Sequence, residues 1–302
     1  MKKSTKVLLR IALLLCIAGL VVGFVSWIGL EFDLTKISRI NHESNGYDGY
    51  ETEEEFERIV IETKTADIIV GNMTISMSEK YNVTCYEETR LKHTVTVQDG
   101  TLFIKVEDTR KWYDKLIKPR EDAEVRVWFP LEKEEFKSIE IKSDTGDVTV
   151  GYGLQFDKMT IETNTGDVLA VSKVHDELKV KTSGGAININ NKNRKHWYPE
   201  DTDMGEALFV SAETETGAVY LGDMTCCNLK VKSQTGDVTF KSFDVLEFIS
   251  VETDTGVVTE KLLSGKTFHT ETGQIEMPET TVKGIGEIRT DKGKIEIEII
   301  GD

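Results

Sequence analysis

Apolar and polar side chains alternate along most of this chain, and about every twenty residues the same short phrase interrupts the alternation. Residues 139–150 read IEIKSDTGDVTV, and the unit they exemplify is apolar-x-apolar-x-Ser/Thr-x-Thr-Gly-x-Val/Ile. With the glycine as anchor, further copies fall at Gly166, Gly185, Gly217, Gly236, Gly256, Gly273 and Gly293, at successive spacings of 20, 19, 32, 19, 20, 17 and 20 residues. Recurrence at one such period marks a repeat architecture. Seven and five residues before the glycine the side chains are apolar, as in Ile139 and Ile141, Met159 and Ile161, Leu178 and Val180, Leu229 and Val231, and Ile249 and Val251. Three before it stands a hydroxyl in every copy: Ser143, Thr163, Thr182, Thr214, Ser233, Thr253, Thr270 and Thr290. A spacing of two puts these side chains on one face of a strand. The hydroxyls are therefore expected to form an inward ladder, with Thr160, out of phase, facing solvent. The glycine is expected to turn the chain through a positive φ. After it Val148, Val168, Ile187, Val219, Val238, Val258, Ile275 and Ile295 open a second short strand.

One such coil buries only about six apolar side chains, too few to offset the ordering of its backbone. Stacked coils pair their backbones about 4.8 Å apart and seal a continuous core. The expected fold is all-β: a right-handed parallel β-solenoid (β-helix) of about 20-residue coils, its hand taken from that of parallel crossovers. An antiparallel sandwich, with strands recurring at about 8–12 residues, is the competing fold and explains the period less well.

Departures from the period divide the chain further. Residues 59–70 (IVIETKTADIIV) form a weaker copy, with Ala66 in the glycine position and Thr63 on the hydroxyl ladder. Eighty residues, the length of four coils, separate Ala66 from Gly146. Within them, 95–104 predicts a hairpin with a Gln-Asp-Gly turn, and 73–77, 81–86 and 125–129 predict further strands. Segment 56–136 reads as a degenerate β portion capping the regular repeats of 137–302, since an end coil must have its open edge covered. Two insertions interrupt the pattern, at 108–122 (DTRKWYDKLIKPRED) and 191–205 (NKNRKHWYPEDTDMG); the second produces the 32-residue spacing.

Charge changes the picture at the amino end. The chain has 302 residues, 39% hydrophobic and 30% charged, with a net charge of −16. Lys2, Lys3, Lys6 and Arg10 are the only charges in the first thirty residues, which leaves −20 on the remainder. Residues 11–30 carry no charge and are long enough to cross a bilayer as a helix. They exceed a signal peptide's apolar core, and no small-x-small site follows, so the span reads as an uncleaved anchor. With the basic segment 1–10 in the cytoplasm, the rest lies outside. Residues 31–55 are polar and read as a juxtamembrane tether. The expectation is a single-pass cell membrane protein, its C-terminal domain extracytoplasmic, with the cytoplasmic membrane as its first partner.

The candidate chemistry is sparse. Asp144-Thr145-Gly146 and Asp254-Thr255-Gly256 spell the phrase of paired-carboxylate proteases, but Asn164, Ser183, Glu215, Gln234 and Glu271 fill the same position in other copies, so it reads as a turn position. Asp147, Asp167 and Asp237 could bind calcium between coils, yet the nonapeptide calcium signature is missing, and they read as solvated turn acids. The five histidines are scattered, and Cys85, Cys226 and Cys227 form no framework. A β-helix carbohydrate-active enzyme would need two carboxylates facing one groove, whereas the outward Glu140, Glu162, Lys179, Lys230 and Glu252 are mixed in sign. An acidic ectodomain argues against nucleic acid. No enzyme, cofactor or metal site is expected.

With the repeats, the anchor and the step from Phe129-Pro130-Leu131 into 139–150 in view, the chain resembles the bacterial putative-adhesin, or LiaG-like, family of β-strand-repeat proteins. The likeness covers roughly 56–300 and is most specific at Ser/Thr-x-Thr-Gly-Asp-Val in 143–148, 163–168 and 233–238. It implies a membrane-anchored, extracytoplasmic protein with no catalytic residues, engaged in adhesion or in envelope-stress sensing. Ala186, Ala218 and Val257 depart from the Gly-Asp form. The candidate contact residues are Arg194, Trp197 and Tyr198 in one insertion and Lys111, Trp112 and Tyr113 in the other, because Trp, Tyr and Arg anchor interfaces. The expected partner is an envelope protein or a wall or glycan surface.

Overall fold

The computed structural model describes residues 46–72, 80–87, 91–109, 123–130, 132–190, 192–194, 202–262, 275–276, 285–290 and 295–299. These form strands throughout, with no helix among them. The apolar span 11–30 lies outside the described residues, as does the strand expected at 73–77.

Each repeat supplies two parallel strands to a stack, a long one ending at the Ser/Thr position and a short one beginning two residues after the glycine. Glu135–Ser143 pairs in register with Gln155–Thr163, and that strand with Lys173–Lys181. The order continues through Thr202–Thr214, Val219–Ser233 and Val238–Thr253. On the other side Val148–Val150, Val168–Ala170 and Ile187–Asn190 pair likewise. The two later strands, of 15 and 16 residues, serve both sides: Val219–Ser233 bends after Gly222, at Asp223, which has φ 47°. The result is a parallel, solenoid-like stack with a long-strand face and a short-strand face. The core between them holds the expected pairs: Ile139, Ile141, Met159, Ile161, Leu178, Val180, Leu229, Val231, Ile249 and Val251 are each at most 2% exposed. At the cap end it closes on aromatic rings, with Phe136 stacked on Phe156 at 5.6 Å and Phe129 at 4.7 Å from Phe136.

The corner between the faces explains the repeated phrase, and it corrects the role expected of the glycine. Positive φ occurs among the described glycines only at Gly100 and Gly153. The repeat glycines are needed instead because layers approach too closely there for a side chain. A Cβ on Gly166 would lie 1.8 Å from the Gly146 carbonyl oxygen, one on Gly185 would lie 1.9 Å from that of Gly166, and one on Gly217 would lie 1.8 Å from that of Gly185. The hydroxyl three residues earlier fills the space beside this contact. Thr182 accepts the Gly185 N–H at 3.1 Å and donates to the Gly166 carbonyl at 3.2 Å. Thr163, Thr214, Ser233 and Thr253 do the same. The ladder thus runs through backbone, each hydroxyl bridging its own coil to the one before.

Layer order departs from chain order at both ends. Arg58–Glu62 pairs directly with Glu135–Ser143 on one flank and with Thr101–Asp108 on the other. Asp67–Asn72 lies between Val148–Val150 and Glu124–Phe129. Copies eighty residues apart are therefore adjacent layers, and the chain between them turns back to build the outer one. The outer layer is finished by antiparallel strands. Leu91–Gln98 folds onto Thr101–Asp108 through a two-residue turn at Asp99 and Gly100, both at positive φ, as primed hairpin turns require. Tyr81–Glu87 pairs with Glu124–Phe129, and Gly46–Thr52 with Tyr81–Glu87. Residues 46–52, read from sequence as part of a tether, are thus a strand. At the far end Ile285–Thr290 and Ile295–Ile299 stack on Val238–Thr253 and Val258–Leu262, and Ile275–Glu276 then pairs with Ile295–Ile299 from outside.

Candidate functional site

Most polar side chains that recur at the corner are occupied in holding the layers together. Beyond the hydroxyls, the aspartates after the glycine accept the N–H of the equivalent residue one layer on: Asp147 donates from its backbone to Asp67 Oδ1 at 2.9 Å, Asp167 to Asp147 Oδ1 at 2.9 Å, and Val257 to Asp237 Oδ1 at 2.8 Å. These exposed turn acids are thus inter-coil acceptors. Among the described residues no three His, Cys, Asp or Glu are placed to hold a metal ion. Asp144 and Asp254 stand five layers apart, about 24 Å at the usual spacing, too far to share a proton.

The long-strand face carries charge in a strict order. The position four before the glycine, read along the stack, is Lys105, Glu62, Lys142, Glu162, Lys181, Glu213, Lys232, Glu252 and Arg289, each in register with the next. Neighbours attract, as in Lys232–Glu252 at 3.2 Å. Lys230 reaches Glu213 at 2.9 Å, and its hydrogen bond holds that carboxyl below the usual range. Exposed pairs of this kind contribute little each, but like charges placed opposite are destabilising, so the alternation disfavours a slip of one layer. A shallow groove of about 600 Å³ at this corner is lined by Glu62, Lys64, Lys142, Asp144, Glu162 and Lys181, three charges of each sign.

The short-strand face is different. Its outward column, three residues after the glycine, runs Ile69, Thr149, Leu169, Asn188, Tyr220, Thr239 and Thr259 through seven successive layers. None is charged, although the chain is 30% charged. Arg126 precedes this run and Glu296 follows it, and beside its last two layers Lys241 and Lys261 stand in register with Gly222, two residues past Thr239 and Thr259. Two rings lie down on the face because glycines make room for them. Trp128 Cζ3 is 3.2 Å from where a Cβ on Gly71 would be, and Tyr220 Cε1 is 3.0 Å from the same point on Gly222.

Of the residues singled out from sequence, Lys111, Trp112, Tyr113, Trp197 and Tyr198 lie outside the described residues. Arg194 ends a short strand, Lys192–Arg194, paired antiparallel with the start of Thr202–Thr214, so the second insertion begins and ends as a hairpin stem. Sequence reasoning read the long-strand face only as mixed in sign and passed over the short-strand column. Sorting outward residues by distance from the glycine would have exposed the sign alternation in one and the lack of charge in the other.

One titratable group is built into the cap. His93, on Leu91–Gln98, meets Thr63 at 3.0 Å between Nε2 and Oγ1, at the foot of the hydroxyl ladder. Burial lowers its pKa to about 4. The unfolded chain takes up a proton below about 6.5 that the folded chain resists, so stability falls as pH drops from about 6.5 to about 4, by at most about 3 kcal/mol. His93→Gln is expected to flatten that part of the urea-midpoint profile against pH; an unchanged slope would place the acid sensitivity elsewhere.

A family model described as Toastrack DUF4097 matches the chain twice, over residues 56–206 and 172–302. No curated protein matches. Among solved structures, the chain is similar to a putative adhesin from Bacteroides fragilis NCTC 9343 at 16% identity and a TM-score of 0.46, covering 84% of this chain and 98% of that one. It is similar also to putative adhesins from Parabacteroides distasonis ATCC 8503, at 13% identity and 0.45 over 84% and 98% of the two chains, and from Parabacteroides merdae ATCC 43184, at 13% and 0.42 over 84% and 97%.

Proposed function

Because the chain belongs to the Toastrack DUF4097 family, we propose that it is a non-enzymatic, adhesin-like module, held by its N-terminal span outside the cytoplasmic membrane as a right-handed solenoid. The observation that carries this reading is the use made of the repeated polar groups. The hydroxyl and aspartate columns bind layer to layer, and the long-strand charges offset one another. What the stack offers outward is long, regular surface, suited to binding extended partners. The anchor reading is supported by the uncharged run 11–30 behind four basic residues, and the insertions around Trp112 and Trp197 are further candidate contact segments.

Protease added to intact, wall-stripped cells should remove a C-terminal epitope; a protected epitope would reverse the topology. Photo-crosslinking in living cells should retrieve a wall polymer or a surface protein. Retrieval of a histidine kinase would shift the reading from adhesion to stress sensing. A polysaccharide that shortens on incubation with the purified chain would end the non-enzymatic reading.

A further inference from the structure

We propose that the short-strand face binds an uncharged glycan chain laid along the stack axis, a proposal that rests on the interaction reading above. The face has the extent for a polymer: from Ile69 to Thr259 it runs through seven layers, six spacings of about 4.8 Å, or roughly 29 Å. It also has the chemistry. Thr149 and Thr239 present hydroxyls and Asn188 an amide, groups that both donate and accept, as the hydroxyls of a sugar require. Trp128 and Tyr220 lie across Gly71 and Gly222, so their rings are laid along the sheet, where the C–H face of a sugar can stack. Five layers, about 24 Å, separate the two rings. Such rings supply contact area at low entropic cost, since only two torsions are fixed.

Charge selects the class of ligand. Along one border of the face runs the aspartate column of Asp67, Asp147 and Asp167, within an exported portion carrying −20. A polyanion would be repelled from it. A polycation would be drawn to the aspartates and would gain nothing from the uncharged column itself, and Lys241 and Lys261, on the other border, flank only its last two layers. A neutral polymer loses no favourable ion pairing there and meets hydrogen-bonding groups at every layer or two. The opposite face, with a charge in each layer, would have to break its own ion pairs to bind such a chain.

The test uses the full-length chain in detergent micelles and three immobilised neutral probes, chitohexaose, laminarin and dextran, beside the polyanion hyaluronate. The expected result is retention on at least one neutral probe, little changed by added salt, and none on hyaluronate. Tyr220→Ala and Asn188→Asp should each weaken that retention about tenfold or more, Tyr220→Phe should preserve it, and Glu162→Gln on the other face should leave it unchanged. Thermal melts identify any variant whose loss is merely of folding. Retention that survives both Tyr220→Ala and Asn188→Asp would overturn the assignment of the face while leaving the interaction reading in place. Failure to bind any neutral probe would overturn the glycan proposal, and the crosslinking experiment would decide separately whether a protein partner preserves the broader reading.

Discussion

Gly185→Ala is expected to destabilise the stack by about 3 kcal/mol or more, at or above the upper end of what overpacking costs, while Gly184→Ala should change stability by less than about 1 kcal/mol. The two glycines are neighbours in sequence and differ in what lies above them. A Cβ on Gly185 would sit 1.9 Å from the Gly166 carbonyl oxygen and 2.5 Å from its carbon, both backbone atoms fixed by the pairing of layers. Nothing there can swing aside, so the layers must part, and the hydroxyl bridge from Thr182 would part with them. At Gly184 the nearest atom is 3.8 Å away, and other copies of the repeat hold threonine in that position, as at Thr145 and Thr165. Urea unfolding followed by circular dichroism gives both midpoints. Equal midpoints would mean that the close approach does not constrain this position.

Removing a hydroxyl from the ladder is expected to have the next largest effect. Thr182→Val keeps the volume but leaves the Gly185 N–H and the Gly166 carbonyl without their shared partner, in a position 1% exposed. Each unsatisfied buried group costs about 1–3 kcal/mol, so a loss of about 2–4 kcal/mol is expected, and faster amide exchange at Gly185 should accompany it. Thr160→Val, on the outward side of its strand, should stay within about 0.5 kcal/mol. Comparable losses at the two positions would mean that the ladder adds nothing beyond strand packing.

Much of this was legible in the residues. The alternation around Ile139, Ile141 and Ser143 identified the buried face, and the period in the glycines gave the stacking of like upon like. The reason for the glycine was not legible, since a tight turn and a close contact between layers make the same demand on composition; only the φ values and the facing carbonyl separate them. Nor was the placement of residues 59–70, because sequence separation carries no information on which strand a copy pairs with once an intervening segment can turn back. One clue existed. Arg289 continues the alternating column only if it follows Glu252, which is where the structure puts it. The uncharged column was missed for a simpler reason: three residues past the glycine, each side chain taken singly is an ordinary surface Ile, Leu, Thr, Asn or Tyr, and only the column has a meaning.

The exchange of layer order at the two ends bears on assembly and on load. In a simple coil array, layers add one by one in the order of synthesis, and a pull on either terminus unzips them in the same order. Here the layer of 58–72 is clasped between two others, one of which contains residues made some forty to seventy positions later, and Ile275–Glu276 finds its neighbour only after 295–299 exists. The stack must therefore wait for later chain before either end can close, and loop closure over such lengths costs only about 1 kcal/mol more than over a single coil. Once closed, a chain held by its amino end would load first the single ladder between 46–52 and Tyr81–Glu87; beyond it lies the layer of 58–72, bonded on both edges, where force has to shear two ladders together.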